Sequence, residues 1–117
     1  QSFAEVKLER EALAQLLQFA QWRLAGIAPW EREAIFAAMK TLADQMGLKI
    51  RDFLAPLFIA IAGSAASISV IDSMHMLGSD LSRARIRHAL EVLGGISKKR
   101  MKEVEKAYAA LGAAAGG

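Results

Sequence analysis

The chain has 117 residues, a formal charge of +3 at pH 7, two histidines and no cysteine. This length suits one domain or two very small ones that share a core, and a composition of 54% apolar and 23% charged residues excludes wholesale disorder. The absence of cysteine excludes a disulfide framework and a thiolate zinc site, and two histidines alone cannot supply a three-histidine metal site.

The first part of the chain predicts two helices by its hydrophobic periodicity. Apolar residues recur at helical spacing over residues 4–25, and Gly26 fits the C-terminal cap of that helix. Trp30 then opens a second helix over residues 31–46, which Gly47 ends.

A third apolar segment covers residues 50–62. Because proline suits the start of a helix rather than its interior, Pro56 predicts a break near residues 54–56. Three further helices follow, since each segment is preceded by serine and followed by glycine. They are a helix over 68–77 between Ser67 and Gly78, a helix from Ser79 or Ser82 to Leu93, and a last helix over 98–111 capped by Ser97.

These elements together predict an all-α fold, a compact bundle or cage of about six helices. Residues 1–28 are interpreted as a leading helix that ends a preceding subdomain. Residues 29–111 are interpreted as the helical domain itself, and residues 112–117 as a flexible tail of Ala and Gly.

Residues 53–71 carry no charge, and their length approaches that of a bilayer span. Pro56 near the start, the small-residue run 63–67 in the middle and Asp72 directly after the end argue against a span. Two short buried helices fit this segment better, so we expect no membrane contact. The N-terminus shows no secretory signal, and we therefore expect a cytoplasmic protein.

No catalytic constellation stands out, so we predict no catalytic residue in this chain. Several serines lie near Asp72 and His75, but capping and small-residue packing explain them more simply than nucleophilic catalysis. Gly94-Gly95 is a helix terminus rather than a phosphate-binding loop. Asp72 and His75 have the spacing of a weak metal site, yet a surface pair is the simpler interpretation, and we expect no metal or cofactor in this chain.

Two pairs of large side chains have both a structural and a functional interpretation. Met74 and Met76 flank His75 and are expected to fill the core, and a hydrophobic groove for a partner is the alternative. Trp22 and Trp30 are expected to anchor the core or its rim, and stacking on an unpaired base is the alternative.

Positive charge is concentrated in the last third of the chain. Residues 1–78 hold seven Lys and Arg against eight Asp and Glu, whereas residues 79–117 hold eight against four. Arg83 and Arg87 would share one helix face, while Arg85 points away. The last helix continues the charge with Lys98, Lys99, Arg100, Lys102 and Lys106. Two neighbouring basic helices suit a phosphate backbone, and a solvated helix face is the alternative.

Specific motifs follow one another between residues 30 and 93. They are Trp30 at a helix start, the turn Gly47-Leu48-Lys49, the segment from Pro56 to Gly63, the helix start from Ser67 to Val70, the pair Leu77-Gly78 and the pair Arg85-Ile86. In this order and spacing they resemble the C-terminal anticodon-binding region of bacterial glutamyl-tRNA synthetases, over roughly half of the chain.

The resemblance implies an all-α helical cage and candidate contact residues. By position it places Ser67 and Val70 towards the anticodon bases. Phe58 takes the position of an arginine that contacts the anticodon in that family, so stacking would replace a charged contact. The charge pattern, rather than the resemblance, predicts that Arg83, Arg85, Arg87, Lys98, Lys99 and Arg100 hold the phosphate backbone.

The function implied by the resemblance is tRNA binding by a domain that is non-catalytic by itself. The parent enzymes ligate glutamate to tRNA with ATP and magnesium through a separate catalytic domain, whose HIGH-like and KMSKS-like signatures do not occur in this chain. The expected partner is a glutamate-specific tRNA, and the expected state is a monomer. The alternative is a helical protein–protein interaction module that uses the Met74–Met76 surface and the basic last helix.

Overall fold

The computed structural model describes residues 9–62 and 70–116, with the backbone alone for residue 62 and residues 112–116. The described residues form six helices and no strand, which confirms the predicted all-α bundle. The helices are α1 (Arg10–Ala25), α2 (Arg32–Gln45), α3 (Ile50–Ala62), α4 (Val70–Leu77), α5 (Ser79–Val92) and α6 (Lys98–Gly116).

The central helix of the bundle is α1. It packs against α2, α3 and α5, and Tyr108 of α6 contacts Phe19 of α1 with the ring centroids 5.1 Å apart. Because neighbours cover α1 on several sides, nine of its 16 residues are buried, including the polar Gln18 and Gln21. Side chains of α1 belong to the same hydrophobic cluster as those of the other five helices.

The third helix runs without a break through Pro56, so the predicted break near residues 54–56 is wrong. Proline lacks the N–H that would complete the helical hydrogen bond, and this alone favours a break. Phe53, Leu57 and Ile61, however, lie four residues apart on one face and are at most 1% exposed. Full burial of each such side chain contributes roughly 1.5–3 kcal/mol, which offsets the loss of one hydrogen bond.

Glycine ends two helices as the sequence predicts. Gly47 follows α2 with φ at +75°, and the N–H of Leu48 donates to the carbonyl of Ala43 at 2.9 Å. Gly95 follows α5 with φ at +72°, and its N–H donates to the carbonyl of Leu90 at 2.8 Å. In both places a left-handed residue lets the chain turn back and satisfy a carbonyl at the helix end.

Of the three predicted serine caps, one is confirmed, one is wrong and one, at Ser67, lies outside the described residues. The Ser97 hydroxyl accepts a backbone N–H from the first turn of α6 at 3.1 Å, as predicted. At the start of α5, Gly78 occupies the N-cap position, so the predicted cap by Ser79 or Ser82 is wrong. Ser82 is instead fully buried, and its hydroxyl donates to the carbonyl of Met74 at 3.3 Å.

The carbonyl of Met74 joins α4 to two neighbouring elements. This carbonyl accepts a hydrogen bond from the Ser82 hydroxyl of α5. It also accepts one from the indole N–H of Trp30, which lies just before α2, with Nε1 and the carbonyl oxygen 3.0 Å apart. The Met74 side chain is fully buried, as its structural interpretation predicts. Trp30 is half-buried and packs against the core, so it anchors the rim of the bundle.

The last helix extends to Gly116, beyond its predicted end at residue 111. Most of the predicted tail is therefore helical, in keeping with the high helix propensity of its alanines. Among the residues that are described, no helix combines the length and the apolar character needed to cross a bilayer.

Trp30→Phe tests the link between α2 and α4. The substitution removes the indole N–H and leaves the Met74 carbonyl with one side-chain donor fewer, so we expect it to lower the free energy of unfolding by about 1 kcal/mol more than Trp22→Phe does. Trp22 serves as the control because it is also half-buried but packs through ring contacts to Phe19 and Tyr108. Urea denaturation measures both losses, and equal losses would contradict this role of Trp30.

Candidate nucleic-acid interface

Two of the three arginines of α5 that were predicted to bind phosphate form hydrogen bonds with other parts of the chain. Arg83 is half-buried, and its Nε donates to Oε1 of Gln21 on α1 at 3.0 Å. Arg85 is exposed, and its Nη1 donates to the backbone carbonyl of Ile61. That carbonyl lies in the last turn of α3, where backbone acceptors lack a helical partner and a cation also suits the helix dipole. These two side chains therefore have a structural role that periodicity did not predict.

Arg87 is the arginine of α5 that has no partner within the described part of the chain. Its side chain is exposed, and it forms no hydrogen bond or ion pair with any other described residue. It is therefore available to an anionic partner without breaking an internal contact.

At the start of α6, Arg100 is held in place by two polar partners. Its Nη2 donates to Oε1 of Gln15 on α1 at 2.8 Å, and its Nη1 lies 3.0 Å from the Glu103 carboxylate. Arg100 and Gln15 also line a cleft of about 220 Å³ together with Arg10. The Arg100 side chain is 32% exposed, and its charge is partly neutralised by Glu103.

A stripe of lysines lies free on the outer surface of α6. Lys98, Lys102 and Lys106 are four residues apart, so they follow one another along the helix at intervals of about 6 Å. These three and Lys99 are exposed, and within the described part of the chain none has a hydrogen-bond or ion-pair partner. Lys102 and Lys106, which were not among the predicted backbone contacts, are thus as available to a partner as the predicted Lys98 and Lys99. Arg100, which was predicted, already binds Gln15. We call Lys98, Lys102 and Lys106 the lysine stripe.

The lysine stripe lies on a helix that contacts α1 through a small set of side chains. Tyr108 of α6 packs against Trp22 with the ring centroids 5.2 Å apart. Its hydroxyl accepts the Nε–H of Arg23 at 3.0 Å, and the Arg23 guanidinium also donates to Gln45 of α2 at 2.8 Å. Val104, four residues before Tyr108, is 1% exposed. These side-chain contacts place the lysine stripe on the side of α6 that faces away from α1.

The three residues predicted to face bases have different placements. Phe58 is half-buried on α3 and packs against the core. Val70 begins α4 and is only 4% exposed. Ser67, with its predicted cap of α4, lies outside the described residues. A contact between these positions and an RNA base stays a prediction.

A cleft that the sequence did not indicate lies between α2, α3 and α4. Arg32 of α2 forms an ion pair with Asp72 of α4, with Nη1 and Oδ1 2.9 Å apart. This hydrogen bond, and then the attraction of the opposite charges, raises the pKa of the Arg32 guanidinium. Phe36 and Leu54 supply apolar walls to the cleft, whose volume is about 360 Å³. The ion pair joins residues 40 positions apart, so no local motif could have indicated it.

A second cleft continues from the first across the Arg32–Asp72 pair. It has a volume of about 490 Å³ and is also lined by His75 and Met76. Met76 is 77% exposed, so the expectation that it fills the core is wrong. Because Met74 is fully buried, the alternative of a shared Met74–Met76 surface does not form either. Asp72 pairs with Arg32, and no group of three metal-ligating side chains occurs among the described residues.

Sequence comparison gives two related findings. The profile of the family described as "Anticodon binding domain" matches residues 1–90. The glutamate–tRNA ligases of Cellvibrio japonicus, Saccharophagus degradans and Marinomonas sp. are 56%, 59% and 55% identical to this chain, over 94%, 95% and 95% of its length. The chain spans 22% of the length of each of these curated relatives. The family match ends within α5, so α6 lies beyond it.

Arg85→Ala tests the hydrogen bond between α5 and the end of α3. Loss of the donor to Ile61 should lower the free energy of unfolding by about 0.5–1.5 kcal/mol and speed amide exchange in the last turn of α3. Arg87→Ala, which removes an equally exposed arginine without an internal partner, should change stability by less than about 0.5 kcal/mol. Thermal unfolding and hydrogen exchange provide the measurements, and the same small effect from both variants would contradict this role of Arg85.

Proposed function

The chain belongs to the anticodon binding domain family, and we propose that it binds the anticodon arm of a glutamate-specific tRNA. The observation that carries the proposal is the family match over residues 1–90, together with relatives named glutamate–tRNA ligase that align along nearly the whole chain. The motifs between residues 30 and 93 predict this family, and the match confirms it.

In this proposal one surface of the domain contacts the RNA bases and another contacts the phosphate backbone. Bases would be read at the end of α3 and the start of α4, where Phe58 offers a partly exposed ring and Val70 a position implied by the motif. The backbone would be held by cations, because phosphates attract lysine and arginine in any sequence. This division agrees with the charge distribution, since residues 79–117 carry a net charge of +4 and residues 1–78 a net charge of −1.

Free and engaged cations contribute differently to backbone binding. We propose that Arg87, Lys99 and the lysine stripe make the main phosphate contacts, because they are exposed and have no partner among the described residues. Arg83, Arg85 and Arg100, which the charge pattern also assigned to the backbone, each already donate to an internal acceptor. Their remaining N–H groups reach a phosphate only in orientations that these bonds allow.

The proposed role is that of a binding domain within a longer protein that ligates glutamate to tRNA. In this proposal ATP and magnesium act in the catalytic part of that protein and not on this chain. The location that suits such a role is the cytoplasm, where tRNA is charged. We also propose that the chain acts as a monomer, because only scattered large apolar side chains are exposed among its described residues.

Replacing the lysine stripe tests the proposed backbone contacts. K98Q, K102Q and K106Q together should weaken binding to a glutamate-specific anticodon stem–loop and to an unrelated stem–loop by the same factor. The slope of log affinity against log salt should fall by about 2, since each phosphate contact on a single strand contributes about 0.7. The preference for the glutamate-specific stem–loop should not change, because backbone contacts carry no sequence information.

The control removes three positive charges elsewhere, as K40Q, K49Q and R51Q on and between α2 and α3, of which Lys40 forms an ion pair with Asp44. These residues are exposed as well, and the control should leave the salt slope nearly unchanged. Fluorescence anisotropy at several salt concentrations measures all three proteins. Equal slopes for wild type and the stripe variant would contradict the backbone role, and equal wild-type affinity for both stem–loops would contradict the proposed function.

A further inference from the structure

The cleft between α2, α3 and α4 combines an exposed aromatic ring with an ion pair at its rim. Phe36 is 44% exposed although it is large and apolar. Across the cleft, Asp72 is 41% exposed and uses Oδ1 to bind Arg32. Leu54 and Ile71 close the cleft between them. A flat apolar ring beside a hydrogen-bonding edge is the arrangement that proteins use for unstacked nucleic-acid bases.

The charge of the cleft favours a base over a phosphate. Its charged lining residues are Arg32, Glu33 and Asp72, which sum to −1. A phosphate would meet this negative charge, whereas the edge of a base is neutral. Carboxylates accept hydrogen bonds from the exocyclic amino group of a base such as cytosine, and arginine donates to ring acceptors. The paired Arg32 and Asp72 therefore match a base that presents an amino donor beside a ring-nitrogen acceptor.

The cleft also adjoins the segment that the family motif places near RNA. Asp72 and Ile71 lie in the first turn of α4, directly after Val70. The ion pair to Arg32 fixes the direction of the Asp72 carboxylate and leaves Oδ2 without a hydrogen bond to a described residue. A fixed carboxylate with one free oxygen loses little side-chain entropy when it binds a donor.

We propose that this cleft binds one unstacked, amino-bearing base of the RNA, with Phe36 stacking on the ring and Asp72 accepting from the amino group. The proposal rests on the function proposed above and adds a base-binding pocket that the motif does not contain. Arg32 holds Asp72 in position and donates to the ring nitrogen beside the amino group. Recognition of cytosine or adenine over uracil follows, because uracil presents an acceptor oxygen to the carboxylate.

Three single variants test the pocket with the whole 117-residue chain. F36L keeps an apolar side chain but removes the ring face, and D72N removes the carboxylate charge. L81A is the matched control, because Leu81 is also 44% exposed but lies on α5 outside both clefts. The probes are the glutamate-specific anticodon stem–loop and a set in which each anticodon base in turn is changed between cytosine and uracil. Fluorescence anisotropy gives the affinities.

F36L should weaken binding about fivefold or more without changing the salt slope, because base stacking carries no phosphate contact. D72N should reduce the preference for cytosine over uracil at one anticodon position by about tenfold. L81A should bind every stem–loop as the wild type does. Urea denaturation verifies that all three variants are folded, as the exposure of these side chains leads us to expect.

Two outcomes overturn different claims. If the wild type prefers the glutamate-specific stem–loop while F36L and D72N retain both affinity and preference, the cleft does not bind a base. The same result is expected if another protein segment covers the cleft. If the wild type shows no preference among anticodon sequences, the proposed function is contradicted. If F36L then also binds the stem–loops with wild-type affinity, the proposal that the cleft binds a base is contradicted as well.

Discussion

Burial of α1 at the centre of the bundle is the constraint on which the other features depend. Helices α2, α3 and α5 pack on it and Tyr108 of α6 contacts it, so two of its glutamines bind side chains of neighbouring helices. Gln21 binds Arg83 of α5, and Gln15 binds Arg100 of α6. The central helix thus holds two basic side chains, and the end of α3 holds a third, Arg85, so the other cations of α5 and α6 are the ones available to a partner.

The remaining charges form two separate environments. Free cations lie on the outer surfaces of α5 and α6, and a cleft with net negative charge lies between α2, α3 and α4. Electrostatic attraction to phosphate is sequence-independent, whereas a carboxylate at a pocket edge distinguishes donors from acceptors. An RNA held by its backbone on the first surface and read by its bases at the second would use both environments. Such a division lets the domain bind with useful affinity without losing selectivity.

Local patterns predicted much of the fold and less of the site. Helical periodicity gave the six helices, and glycine gave the ends of α2 and α5, because both signals act within one or two turns. The break at Pro56 was wrong because tertiary burial of the α3 stripe outweighs the local cost of proline. The partners of Arg83 and Arg100 lie 62 and 85 positions away, so charge and spacing alone could not separate engaged from free cations.

The most direct test of anticodon reading by this bundle is an NMR titration of the isotope-labelled chain. Its amide signals would be followed with a glutamate-specific anticodon stem–loop and with an unrelated one. Both RNAs should shift signals along α6, because backbone attraction is independent of sequence. Only the glutamate-specific RNA should also shift those of the last turn of α3, the first turn of α4 and Phe36. Identical shifts confined to α6 with both RNAs would contradict base recognition by this domain.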